Sequence, residues 1–261
     1  MTHRYRATAS QLFLLLGSIA GIFLIWFIPA TRAIEVRYQE IAVQLSAPTI
    51  AATASIGDDS LAVPDWTLFT PGHVWSLVSK DKSLSPSYTP ELVDAPVPHT
   101  KGVIRIATSI EKPLQSLFTA AEDDGVLLML SSAYRSSDDQ QAIYDAYLHL
   151  HGQSYVDSYV AKPGQSEHQT GLAVDIASKT NECSSSADKC SLDYAAIVWL
   201  RQNAPRFGFI QRYPSGKQSI TGVAGEAWHY RYVGTELGRL LDKNNLTFDE
   251  FVQQIAPGYA L

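Results

Sequence analysis

The segment Ser166-Glu167-His168-Gln169-Thr170-Gly171-Leu172-Ala173-Val174-Asp175 sets the tightest condition on the fold. It carries a histidine and an aspartate at the two ends of a turn through Gly171, which leads into an alternating apolar strand over Gly171 to Ala177. Seven residues of extended chain span roughly 23 Å, so His168 and Asp175 meet only if the chain folds back at the glycine. An imidazole and a carboxylate are good borderline zinc ligands. Two ligands do not complete a site, however, and a hydrogen-bonded histidine beside an unrelated strand-end aspartate accounts for the same residues.

A second segment, Glu226-Ala227-Trp228-His229-Tyr230-Arg231-Tyr232, adds a histidine with a glutamate three residues before it. A catalytic zinc needs three protein ligands, an open position for water and a carboxylate that stays off the metal. His168, Asp175 and His229 meet the first need and Glu226 the last, as the base that takes a proton from the attacking water. Glu-x-x-His is common by itself, and a surface glutamate beside an aromatic strand is the plain alternative. His149 and His151 stand at i,i+2 on a helix and point different ways, so they make poor co-ligands.

Between these segments the punctuation predicts a mixture of helices and short strands. Leu114, Leu117, Phe118 and Ala121 recur at helical spacing until Gly125, and Val126 to Ser131 suits a buried strand. Ser137 with Gln140 reads as a capping box opening a helix to about Gly152, and Thr247 with Glu250 as another for the last helix. Ser191 can cap a helix through Phe207, stopped by Gly208. Phe209 to Tyr213 and His229 to Val233 read as strands separated by a turn at Pro214-Ser215-Gly216. Without a regular βαβ rhythm, the expected class is α+β: a small antiparallel sheet flanked by helices, with a zinc site in the central cleft.

The amino-terminal part points to export. Arg4 and Arg6 precede an almost purely apolar run from Leu12 to Pro29, close to the ~20 residues that cross a bilayer and longer than a signal-peptide core. The expected organisation is a cytoplasmic tip and anchor over 1–33, with a cleaved signal as the alternative; a tether over 34–65; and a catalytic domain over 66–261. That places a single-pass protein in the cytoplasmic membrane with its domain on the outer side. Cys183 and Cys190 enclose a short polar loop with no other metal ligand nearby, so a disulfide is expected there, with two free thiols as the alternative. The net charge of -6, with no run of Lys and Arg, argues against nucleic acid. No Gly-rich phosphate loop is present, so no nucleotide is expected.

The two segments also resemble a known family. The first matches the S-x-H-x-x-G-x-A-x-D signature of the VanY-type and VanX-type D-alanyl-D-alanine carboxypeptidases, within the wider group of lysostaphin-type endopeptidases and the hedgehog signalling domain. The second is similar to the family's E-x-W-H element, and Ser132-Ala133-Tyr134-Arg135-Ser136 to its S-x-Y-R-S strand end. Lesser matches run from Trp75 through Tyr88-Thr89-Pro90-Glu91-Leu92 to Arg212-Tyr213-Pro214 and Tyr232-Val233-Gly234, so the likeness covers roughly Trp75 to Phe251.

The resemblance implies a zinc peptidase acting on the stem peptide of peptidoglycan. His168, Asp175 and His229 would hold one Zn2+, and Glu226 would be the general base. It further implies Arg135 as the group facing the substrate carbonyl or its oxyanion, where an ordinary surface ion pair is the plain alternative. Ser166 and Gln140 fall at positions that hold the terminal D-residue and its carboxylate, and Tyr213 lines the same cleft. The chain departs from the pattern at Ala227, where these enzymes commonly carry Pro; the change frees φ and restores a backbone N–H beside Glu226. The main reading is a carboxypeptidase, with the D,D and L,D bonds both open. An endopeptidase on the same zinc core and a non-catalytic zinc module are the alternatives, the last disfavoured by intact Glu226 and Arg135.

Overall fold

A computed structural model describes residues 51–56, 59–64, 70–100, 102–180 and 190–255. At its centre is a four-stranded antiparallel sheet in the order β5-β6-β8-β7. The strands are β5 (Leu128–Ser132), β6 (Ala173–Ser178), β7 (Phe209–Tyr213) and β8 (Glu226–Tyr232). Two hairpins lie outside it: β1 (Ala51–Ile56) with β2 (Asp59–Pro64), and β3 (Leu92–Asp94) with β4 (Arg105–Ala107). The class is the expected α+β.

Side-chain alternation divides the sheet. Val174, Ile176 and Tyr230 point into an apolar core shared with helix α1 (Glu111–Asp123), through Leu114, Leu117, Phe118 and Ala121, and helix α4 (Tyr194–Asn203), through Ala196, Trp199 and Leu200. Asp175 and His229, one residue out of phase with them, fall on the opposite face. A second cluster gathers Leu237, Leu240 and Leu241 of α6 (Thr235–Lys243) with Phe248, Phe251 and Val252 of α7 (Phe248–Ile255) around Ile210 and Val233. The capping box expected for α7 is present: Thr247 N donates to Glu250 Oε2 at 2.8 Å, and Glu250 N to Thr247 Oγ1 at 3.1 Å.

Two irregularities in the ladders aim the functional side chains. Between the pairs Leu130↔Ile176 and Ser132↔Asp175, β5 advances two residues while β6 advances one. This bulge sits just before Arg135. Between Gln211↔Tyr230 and Tyr213↔Glu226, β7 advances two residues while β8 advances four. In a regular strand Glu226 and His229, three apart, would face opposite sides. The break in regular pairing interrupts that alternation, and Glu226 Oε2 lies 3.4 Å from His229 Nδ1.

Several sequence expectations need correction. Helix α2 (Ser137–His151) is capped not by Ser137 and Gln140 but by Ser136, whose side chain accepts from Asp139 N at 3.1 Å, while Asp139 Oδ2 accepts from Ser136 N at 3.1 Å. The box is one residue earlier because Asp139 reaches its own N-cap as well as Gln140 would, leaving Gln140 for the cleft. Helix α4 is capped by Asp193 rather than Ser191, and the last residues to Phe207 tighten into a 3₁₀ turn. A short helix α5 (Gln218–Thr221) lies between β7 and β8, beyond the expected Pro214–Gly216 turn. Part of the expected tether is the β1–β2 hairpin: a backbone ladder forms there without apolar alternation, and the compact unit starts at Ile50.

The apolar run Leu12–Pro29 and Cys183 lie outside the described residues. Among the described residues no helix is long and apolar enough to cross a membrane. Cys190 packs against Met129 and Ala177.

Candidate metal and catalytic site

The turn at Gly171 does what the sequence required. Glu167–Thr170 forms a single 3₁₀ turn ended by Gly171 at φ 69°, a left-handed conformation suited to glycine. A Cβ there would also sit 2.9 Å from the Ala107 backbone nitrogen. The reversal brings His168 Nε2 to 3.4 Å from Asp175 Oδ1. Across the sheet, Asp175 stands opposite His229, with Oδ1 3.5 Å from His229 Nδ1. One ligand atom from each of His168, Asp175 and His229 lies within 4.8 Å of the others, and all three residues are buried.

The hydrogen bonds around this triad orient its lone pairs. His168 Nδ1 lies 2.6 Å from the Ala133 carbonyl, to which it donates. Its Nε2 is then the acceptor and faces Arg135 NH2 at 3.1 Å, a group that only donates. Asp175 Oδ2 accepts from Arg135 NH2 at 2.8 Å, while Oδ1 is buried with no hydrogen-bond partner. An orphaned buried carboxylate oxygen between two imidazole nitrogens is costly for protein alone. The same donor set, two nitrogens and one oxygen, suits a zinc site with an open position.

Glu226 lies beside the triad, its Oε2 3.4 Å from His229 Nδ1. Burial pushes its carboxyl above the ordinary value; His229 opposes this and Asp175 adds to it. Asp175 behaves oppositely: burial alone would raise it, but His168, Arg135 and His229 hold it ionised, well below the carboxylate range. His168 is pushed down to about 4, by burial and then by Arg135.

Arg135 is fixed at three points: Asp175, Ser132 Oγ at 3.0 Å through Nε, and Gln140 Oε1 at 3.5 Å through NH1. Gln140 is buried and anchored in turn, its Nε2 donating to the Ala161 carbonyl at 2.8 Å. Tyr213, at the end of β7 opposite Glu226, has its ring 5.0 Å from that of His229. Ser166, immediately before the 3₁₀ turn, is buried. All of them line one cleft of about 350 Å³ with the triad and Glu226. Every residue singled out from the two main segments and the Ser132–Ser136 stretch is therefore brought together.

The sequence reading missed the layer beneath. Glu167 Oε2 lies 3.5 Å from His229 Nε2, while its Oε1 accepts from Arg212 Nε and Arg231 NH1, each at 2.9 Å. Arg212 also pairs with Asp249 through both NH1 and NH2, and Arg231 NH2 donates to the Ser76 carbonyl at 2.8 Å. All four charged residues are buried. Burial alone would raise the Glu167 pKa, but Arg212 and Arg231 hold the carboxylate ionised, well below the ordinary range. The available signal was Arg212 and Arg231 inside otherwise apolar and aromatic strands, where a charge requires a buried partner.

The sequence pattern of the VanY family, described as D-alanyl-D-alanine carboxypeptidase, matches residues 103–235. A D-alanyl-D-alanine carboxypeptidase of Enterococcus faecalis is 36% identical, over 78% of this chain and 70% of its own length. Among solved structures, the LdcB LD-carboxypeptidase aligns with a TM-score of 0.64 at 32% identity, covering 78% of this chain and 94% of that one. A mutant of the vancomycin-resistance D,D-pentapeptidase VanY, from the VanB-type cassette and in complex with Zn(II), aligns with a TM-score of 0.59 at 35% identity, covering 69% of this chain and 98% of that one. The chain belongs to the VanY family of carboxypeptidases.

Proposed function

We propose that this protein is a zinc-dependent carboxypeptidase that removes the C-terminal D-alanine from peptidoglycan stem peptides, with the D,D bond as its first substrate and the L,D bond as its second. The observation that carries the reading is the convergence of His168, Asp175 and His229 around an orphaned carboxylate oxygen, with Glu226 alongside but free to serve as a base.

When bound by these three residues, one zinc ion would supply a water acidified to a pKa of about 7. The Glu226 carboxylate takes a proton from the attacking water and delivers it to the departing amine nitrogen, so that the C–N bond breaks and the amine leaves neutral. The raised pKa of Glu226 suits that exchange. Arg135, held by Asp175 and Ser132, is a fixed cation for the substrate carbonyl oxygen or its terminal carboxylate. Ser166 and Gln140 line the cleft beside it as the pocket for the terminal residue, and Tyr213 closes the side next to Glu226.

We assign the apolar amino-terminal run as the anchor that holds the domain outside the cytoplasmic membrane, and the Cys183–Cys190 pairing as a disulfide of that compartment. An endopeptidase reading has one observation in its favour: the cleft is also lined by Val223, Ala224, Gly225 and Trp228, beyond the residues assigned to the terminal carboxylate.

The test uses the compact unit from Ile50 onward, loaded with zinc, with stem pentapeptide and tetrapeptide offered separately and products followed by mass spectrometry. Loss of one D-alanine from the pentapeptide is the expected result. Cleavage of the tetrapeptide alone makes the protein an L,D-enzyme; cleavage of cross-linked dimers alone makes it an endopeptidase.

A further inference from the structure

Helix α2 ends at Gly152, whose φ of 81° turns the chain sharply into helix α3 (Gln153–Tyr159). The corner folds α3 back against α2 and lines up four aromatic rings. His151 stacks on Tyr155 with centroids 4.4 Å apart, Tyr155 stacks on Tyr147 at 6.0 Å and 10° between planes, and Tyr159 follows Tyr155 at 4.9 Å. The row is open to solvent: Tyr147 is 40% exposed and Tyr159 55%. Ring–ring contact explains why the residues hold one another; it does not explain why large rings are left half out of water.

Tyr147, Tyr155 and Tyr159 line the same cleft as Arg135, Gln140 and His168. Tyr147 lies two helical turns beyond Gln140, about 10 Å along the axis. The row thus continues the cleft without taking part in its chemistry. Its surroundings are polar, with one anion and one cation: Gln153 Nε2 donates to Asp157 Oδ1 at 2.8 Å and to the Tyr144 hydroxyl at 3.2 Å, and the one lysine lining this end, Lys80, donates to the Asp157 carbonyl at 2.9 Å. An anionic polymer would require an excess of cations, and here Lys80 is offset by Asp157.

We propose that this aromatic row is a platform for saccharide rings, which seats the glycan part of the wall polymer while the stem peptide reaches the triad. A pyranose presents an apolar face of C–H groups inside a rim of hydroxyls. Tyrosine rings offer flat apolar faces with a phenolic hydroxyl at the edge, the complementary surface. The assignment rests on the peptidoglycan reading for the identity of the polymer, but the platform itself is testable without cleavage.

Two measurements on the full zinc-loaded chain separate these. In the first, N-acetylglucosamine oligosaccharides are titrated into the protein and into Tyr159→Ala and Tyr147→Ala, and binding is followed by calorimetry. Wild-type binding that weakens by about fivefold to tenfold on loss of either ring is the expected result; no binding by the wild type overturns the platform. In the second, hydrolysis of free stem peptide is compared with the same peptide carried on its disaccharide. The wild type should show the lower KM for the sugar-bearing form. Each variant should raise that KM toward the free-peptide value, with kcat and the free-peptide KM unchanged. Equal KM values for both forms in the wild type, or variants that raise both alike, overturn the proposal. Saccharide binding without hydrolysis of either peptide would sink the peptidase reading and leave the platform standing.

Discussion

Asp175 and His229 face each other directly across the antiparallel pair β6–β8, with Oδ1 and Nδ1 3.5 Å apart. Two of three candidate ligands are thus positioned by sheet register itself, and the third, His168, arrives through a single turn at Gly171. A one-residue slip between the strands would send one of the pair to the core side. The site therefore depends on the same register that buries Val174, Ile176 and Tyr230.

Removal of any ligand should abolish stoichiometric zinc binding. For His168→Ala and His229→Ala, metal content measured by plasma emission after dialysis should fall at least about tenfold below wild type. Unchanged zinc in either variant means that the metal is held elsewhere.

Glu226→Gln separates binding from chemistry. The amide keeps the shape but cannot accept the water's proton, so zinc content should be unaltered and kcat should fall by about 10²-fold or more. A variant with full activity would move the base to another residue.

Glu167→Ala should destabilise the fold by about 3–5 kcal/mol, because it leaves Arg212 and Arg231 buried beside each other with one anion, Asp249, remaining among the four. Urea unfolding of the metal-free protein measures this. The milder Glu167→Gln should fold and weaken zinc affinity by about 10–100-fold, through loss of the carboxylate facing His229 Nε2. Zinc affinity equal to wild type would make Glu167 purely structural.

Acid should unfold the metal-free protein through the same carboxylates. Glu167 and Asp175 are held below their ordinary values of 4.5 and 3.8, so the unfolded chain binds protons first. Their stabilisation is complete above that range and is lost as the pH falls below about 4. The gap between the denaturation midpoints of wild type and Glu167→Gln should be widest at pH 7 and narrow by pH 3; a constant gap would remove Glu167 from the acid response.

Gly171→Ala should cost at least about 1–2 kcal/mol, since it places a side chain at φ 69° and drives Cβ toward the Ala107 backbone. Zinc affinity should fall with it, because the turn sets the approach of His168 to Asp175. Wild-type affinity and stability in this variant would show that the turn can relax.

Much of this arrangement was legible beforehand because it rests on local signals. The Gly171 reversal, the β7 strand, the box at Thr247 and Glu250 and the cluster of His168, Asp175, His229, Glu226 and Arg135 all follow from short spacings joined to a family likeness. What escaped depends on long-range pairing. The Glu167–Arg212–Arg231–Asp249 network joins residues far apart in sequence, and no local pattern tells which buried arginine meets which acid. The helix-α2 cap was misread because Ser136 with Asp139 and Ser137 with Gln140 offer the same pattern one residue apart, and only geometry chooses. The β1–β2 hairpin escaped because Ala, Ser and Thr suit a tether as readily as a ladder.

The irregularity in β8 has one more consequence. Ala227 and Trp228 have no register partner on either neighbouring strand among the described residues, while His229 is locked opposite Asp175. The candidate ligand and the candidate base are thus held by different strands, His229 opposite Asp175 of β6 and Glu226 opposite Tyr213 of β7. A substitution at Ala227 or Trp228 therefore falls between two separately anchored residues and breaks neither pair.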